Sequence, residues 1–190
     1  MMPSSKVADG FRRSSNTLQS PGRMDTGESR LKALVVYYSR SGNTRKIARE
    51  LAAALGADIE ELNDGKKRRG PVGFISSGFE AMKKRHVKLA LLQHSPADYD
   101  LVLVGSPIWA NSICSPVRTF LAQYKRELKQ VAWFCTSGSV ETKYAEEGFA
   151  AMEEESSLTP IATLGLGWQQ IRKDHAAATA VFVASLRTAG

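Results

Sequence analysis

Ala33-Leu34-Val35-Val36-Tyr37-Tyr38 runs directly into Ser39-Arg40-Ser41-Gly42-Asn43-Thr44. The first six residues are an apolar run of the length and β-branched character of a strand buried on both faces. After the second six, Ile47, Leu51 and Leu55 recur at helical spacing, which predicts a helix over Asn43–Leu55. The segment between is therefore a strand-to-helix turn. Its small residues let the backbone fold tightly around an anion. The hydroxyls of Ser39, Ser41 and Thr44 and the Asn43 amide can donate to it. The helix beginning near Asn43 turns its free N–H groups and positive dipole end into the same space. A Ser/Asn helix cap would select some of these residues, but three hydroxyls and an amide in six positions exceed what capping needs.

The same alternation continues along the chain. Strand patterns stand at Ala57–Leu62, Asp100–Val104, Gln130–Cys135 and Pro160–Leu166. Helical patterns stand at Pro116–Tyr124, Lys143–Glu155 and His175–Leu186, and a further helix is predicted up to Arg85. Strands alternating with helices argue for a parallel sheet covered on both faces. Ligands of such sheets bind outside the carboxyl ends of the strands, so the loops after the third and fourth strands carry the next information. One is Gly105-Ser106-Pro107-Ile108-Trp109-Ala110-Asn111, where Trp109 offers an aromatic face at a ligand's edge. The other is Thr136-Ser137-Gly138-Ser139, whose small residues admit close backbone approach.

What is missing narrows the ligand. No turn has the G-x-x-x-x-G-K-[ST] form of a nucleoside triphosphate loop, and no G-x-G-x-x-G follows a strand. No acidic cluster at the strand ends suits a magnesium-dependent phosphorelay domain. Cys114 and Cys135 are the only cysteines, which gives no disulfide framework and no four-ligand zinc site. His86, His94 and His175 share no spacing and read as surface or loop residues. No metal site is expected.

Together the three loops resemble the flavodoxin superfamily. Ser39-x-Ser41-Gly42-x-Thr44 matches its phosphate loop, [ST]-x-[ST]-G-x-[ST]. Gly105-Ser106-Pro107-Ile108-Trp109 matches its second loop, and Thr136-Ser137-Gly138 its third. The resemblance covers residues 32–187 and implies a three-layer α/β/α sandwich with a five-stranded parallel sheet of order 2-1-3-4-5. It implies FMN as cofactor, with its phosphate held by Ser39, Arg40, Ser41, Gly42, Asn43 and Thr44. It implies isoalloxazine contacts from Pro107, Ile108, Trp109 and Ala110, flanked by Thr136, Ser137 and Gly138. The chain lacks a long insertion in the last strand, as in the short-chain group. Two features depart from the pattern: Arg40 puts a cation in a loop that is often neutral, and the chain lacks the strongly acidic character of electron-carrier flavodoxins.

The chain has 190 residues, 43% hydrophobic and 24% charged, with a net charge of +7. Residues 1–30 are rich in Ser, Gly, Pro and Arg and read as a disordered tail preceding a domain over 31–190. That tail lacks the apolar segment of a secretory signal, and Asp9, Asp25 and Glu28 weigh against a transit peptide. No apolar run is long enough to span a bilayer, and a cytoplasmic location is expected. Residues 1–30 carry +2, residues 66–88 carry +7 and the rest −2. The excess is local, which argues against a dedicated nucleic-acid binder. The basic stretch Lys66–Arg69 and the helix after it read either as a solvated face or as a docking site for an acidic partner or a phosphorylated cosubstrate such as NADPH.

Three functions stay open at this point. The first is electron transfer through bound flavin to a redox partner protein. The second is an oxidoreductase taking hydride from NAD(P)H for a quinone or similar small acceptor. The third is an FMN-binding regulatory or interaction module. A homodimer also stays open, and no catalytic acid or base stands out.

Overall fold

A computed structural model describes residues 31–66, 70–139 and 143–188, without the side chains of Pro71, Val72 and Phe74. The expected N-terminal tail lies outside the described residues.

Five parallel strands form the sheet: β1 (Ala33–Tyr37), β2 (Asp58–Glu61), β3 (Leu101–Trp109), β5 (Gln130–Ser137) and β6 (Thr163–Gly167). Their spatial order is β2-β1-β3-β5-β6, and a two-residue strand β4 (Ser112–Ile113) pairs antiparallel with the end of β3. Counted over the parallel strands alone, this is the expected order 2-1-3-4-5. The register pairs Val35 with Ile59 and Leu103, and Leu103 with Ala132. Strand order reverses between β1 and β3, so the turn after β1 and the end of β3 meet at the switch point.

Side chains alternate across the sheet with period two, and each face builds its own core. Leu34, Val36, Val102, Val104 and Trp133 pack on one face with Phe120 and Leu121 of α3 (Ser115–Tyr124), Met152 of α4 (Lys143–Ser156) and Ala81 of α2 (Gly70–Met82). Val35, Leu101, Leu103 and Phe134 pack on the other. There they meet Ile47 and Leu51 of α1 (Asn43–Leu55), Ile171 of α5 (Trp168–Lys173) and Phe182 of α6 (Ala176–Thr188). Helices thus cover both faces of the sheet, giving three layers.

The elements differ from the sequence reading most at the ends of β3 and β5, in the hairpin strand β4 and in the short helix α5. β3 continues past Gly105 to Trp109, and β5 continues past Cys135 to Ser137. The two strands stay in register there, with Ser106 opposite Cys135 and Pro107 opposite Thr136. β1 pairs with β3 only as far as Gly105, so Pro107 has a neighbouring strand on one side only, where its missing N–H is tolerated. The short helix α5 was not predicted. It holds Trp168, 38% exposed, with the Arg172 guanidinium 5.9 Å from its ring centroid. Trp133, by contrast, is fully buried in the core.

Candidate functional site

The turn after β1 is shaped by Gly42. Its φ of 98° is left-handed, a conformation that L side chains adopt only at a cost. The Gly42 N–H donates to Ser39 Oγ at 3.1 Å, closing the turn on itself. α1 then starts with the Lys46 N–H donating to the Gly42 carbonyl. No side chain caps this helix start, and its first turn holds no acidic residue. The leading N–H groups of a helix have no partner within it, so this end presents donors and a positive dipole to whatever lies beside it. Arg45 in the same turn is drawn aside by Glu61 of β2, with Nη2 2.5 Å and Nε 3.0 Å from its carboxylate oxygens.

The end of β3 forms a hairpin with β4. Ala110 and Asn111, the two residues at its tip, have φ of 45° and 62°. Two adjacent positive φ values are what a tight two-residue hairpin turn requires. Ser106 fastens the hairpin's base: its Oγ accepts from the Cys114 N–H at 3.1 Å. Gly105 has a packing role. A Cβ there would lie 2.0 Å from Phe134 Cζ. The first two residues of the Gly-Ser-Pro-x-Trp motif therefore build the strand and hairpin, and the next ones form the wall.

At the end of β5, Thr136 Oγ1 and Thr44 Oγ1 share a buried hydrogen bond of 2.8 Å. Ser137 Oγ donates to the Ser139 carbonyl at 3.0 Å and holds the following turn.

These segments enclose a cavity of about 420 Å³, within the roughly 300–1,000 Å³ usual for small-molecule sites. It is lined by Arg40, Ser41, Asn43, Pro107, Ile108, Trp109, Ala110, Thr136, Ser137 and Gly138, together with Gly78 of α2. All of these but Gly78 come from the three predicted segments. Ser39, Gly42 and Thr44 do not line the cavity; they build its frame. Gly78 went unnoticed because a glycine inside a helix pattern carries no signal of its own.

Trp109 is buried, 7% exposed. Tyr38 meets it edge-on with centroids 5.6 Å apart and planes at 89°, and the Arg40 guanidinium carbon lies 5.6 Å from the ring centroid. It is a fixed wall rather than a free platform. Among the described cavity residues Arg40 is the cation; partial burial pulls its pKa below the ordinary arginine value, yet a guanidinium remains charged at neutral pH.

Cys135 is fully buried, and burial pushes its thiol pKa well up. That makes it a small core residue, not a reactive one. Each histidine meets a carboxylate: His86 Nε2 with Glu155 at 2.9 Å, His94 Nδ1 with Glu60 at 2.9 Å and His175 Nε2 with Glu50 at 2.6 Å. None of the three lines the cavity. Among the described residues no His, Cys, Asp and Glu side chains gather as a metal site would need.

A family model described as flavodoxin matches residues 32–164. A flavoprotein of Lactobacillus acidophilus NCFM, solved in complex with FMN, is similar at 23% identity, with a TM-score of 0.60 over 72% of this chain and 92% of that one. A protein of Bacteroides eggerthii DSM 20697 is similar at 22% identity, with a TM-score of 0.65 over 82% and 98% of the two chains. Oxidised flavodoxin 2 of Bacillus cereus is similar at 17% identity, with a TM-score of 0.55 over 84% and 99%. No curated protein matches the sequence.

Proposed function

The chain belongs to the flavodoxin family, and from that premise we propose that it binds FMN in the cavity between α1 and the ends of β3 and β5 and transfers electrons through it. One observation carries this reading. Segments far apart in sequence, 39–44, 107–110 and 136–138, converge on a single cavity that opens beside an uncapped helix start.

The residues fit the two halves of the cofactor. The α1 amides, Ser41, Asn43 and the Arg40 cation suit a phosphate. The Pro107–Ala110 wall, with its buried Trp109, suits a flat apolar ring, and Thr136–Gly138 supply small polar groups beside it. Ser39 and Thr44 contribute by fixing the turn and tying it to β5. FMN, when bound, supplies the redox chemistry. The protein supplies binding, orientation and the local electrostatics. Arg40 adds positive charge near the ligand, and positive charge favours the more negative, reduced state of a bound group.

Purification with and without added FMN tests the reading. A yellow protein with flavin absorbance is expected, with fluorescence quenching that saturates at one FMN per chain. A colourless protein that leaves FMN fluorescence unchanged overturns it.

A further inference from the structure

Among the described residues, helix α2 leaves an apolar stripe uncovered. Ile75, Phe79 and Met82 are 71%, 49% and 68% exposed. Their i, i+4, i+7 spacing puts them on one side of the helix. A single exposed apolar side chain is ordinary, but three in a row on one helix of 13 residues are not. Cations stand around the stripe. Lys83 Nζ and the Arg85 guanidinium carbon lie 5.9 and 5.5 Å from the Phe79 ring centroid. Lys88 is exposed beyond them, whereas Lys66, before the helix, is paired with Glu80 at 2.7 Å. In sequence, residues 66–88 carry a charge of +7, equal to that of the whole chain.

We propose that this face of α2 docks on an anionic lipid surface. Charge complementarity and the shape of the stripe both favour that occupant. Ile75 and Met82 project into solvent, Met82 at the rim of an open cleft that it shares with Ala110 and Glu154. A fluid acyl layer takes up such projections without a matching pocket, whereas a protein partner needs one. Lysine and arginine stems can lie along the apolar boundary while their charged ends reach lipid phosphates. A nucleic acid would satisfy the cations but leave Ile75 and Met82 in water. Lys84 contributes less, because its Nζ is 2.6 Å from Glu154. Docking sets the cavity beside the lipid, since Gly78 of the same helix lines that cavity. The inference goes beyond the redox reading and does not depend on FMN being bound.

Co-sedimentation of the full chain with vesicles tests it. Binding is expected to phosphatidylcholine vesicles containing about one-third phosphatidylglycerol, roughly tenfold or more tighter than to phosphatidylcholine alone. It should weaken as salt rises towards about 0.5 M. The triple variant Ile75→Ser, Phe79→Ser, Met82→Ser should bind roughly tenfold or more weaker, with an unchanged far-UV circular dichroism spectrum, because all three sites face solvent. Absence of binding to anionic vesicles at low salt overturns the proposal, as does equal binding by the triple variant. Tighter binding to a DNA duplex or to polyglutamate than to anionic vesicles at the same salt overturns it too, because it assigns the cations to another class of partner.

Discussion

Thr44 and Thr136, 92 residues apart, join α1 to the end of β5 through one buried hydroxyl–hydroxyl hydrogen bond of 2.8 Å. Thr44 is 1% and Thr136 4% exposed. Removing one hydroxyl leaves the other buried without this partner, which costs about 1–3 kcal/mol. Thr44→Val and Thr136→Val should each destabilise by that amount in urea unfolding. The double variant should cost clearly less than the two together, since it removes both members of the pair. Additive losses would show that the bond contributes nothing of its own.

Gly105 and Phe134 sit opposite each other on adjacent strands. Phe134 is fully buried, so its ring cannot withdraw from a Cβ placed 2.0 Å away. Gly105→Ala should lower stability by about 3 kcal/mol, the upper end of the usual overpacking cost. Adding Phe134→Leu should recover part of that loss by making room. If the double variant is no better than Gly105→Ala alone, the clash lies elsewhere.

This pair also shows where sequence and structure part. The β1–α1 unit was fully legible, and the helix bounds Asn43–Leu55 coincide with the reading, because an apolar run followed by helical spacing has few other meanings. The ends of β3 and β5 were not. Gly, Ser, Pro and Thr are turn formers, so Gly105 and Cys135 read as strand ends, yet the ladder between the two strands outlasts both. The reason is tertiary: β5 lies beside β3 to Thr136, while β1 has already ended. The cavity residues were recognisable from motif and position. The division between wall and frame was not, because it depends on where Ser39 Oγ and Thr44 Oγ1 find partners. Gly78 needed the packing of α2 against the hairpin, which no local pattern encodes.

Arg40 and Trp109 stand for the two halves of the proposed ligand and can be separated by ligand choice. Arg40→Gln should weaken FMN by roughly tenfold or more, the value of a charge-assisted hydrogen bond. It should leave riboflavin, which lacks the phosphate, essentially unchanged. Trp109→Leu should weaken both ligands, by up to about tenfold. Fluorescence titration reads both. Equal loss of FMN and riboflavin in Arg40→Gln would place Arg40 at the ring rather than the phosphate.

Tyr99 makes the fold sensitive to alkali. Its ring is buried, its hydroxyl donates to Asp58 Oδ2 at 2.8 Å, and Lys32 Nζ lies 4.6 Å from the ring centroid. Burial first, and then the hydrogen bond to the Asp58 carboxylate and its negative charge, push the phenol pKa up to about 12. An unfolded tyrosine titrates near pH 10. The folded state therefore favours the neutral phenol. That stability is fully present below about pH 10 and is lost as pH rises through the folded value of about 12, because the unfolded chain then releases its proton more readily. Tyr99→Phe should cost about 1 kcal/mol at neutral pH through the lost hydrogen bond. Between about pH 10 and 12 its stability should fall less steeply than that of the parent, and the two curves should approach each other. Tyr37, whose pKa is also raised, is shared by both proteins and cancels in the difference. Urea midpoints across that range supply the measurement. Parallel curves would mean that another group governs the alkaline limb.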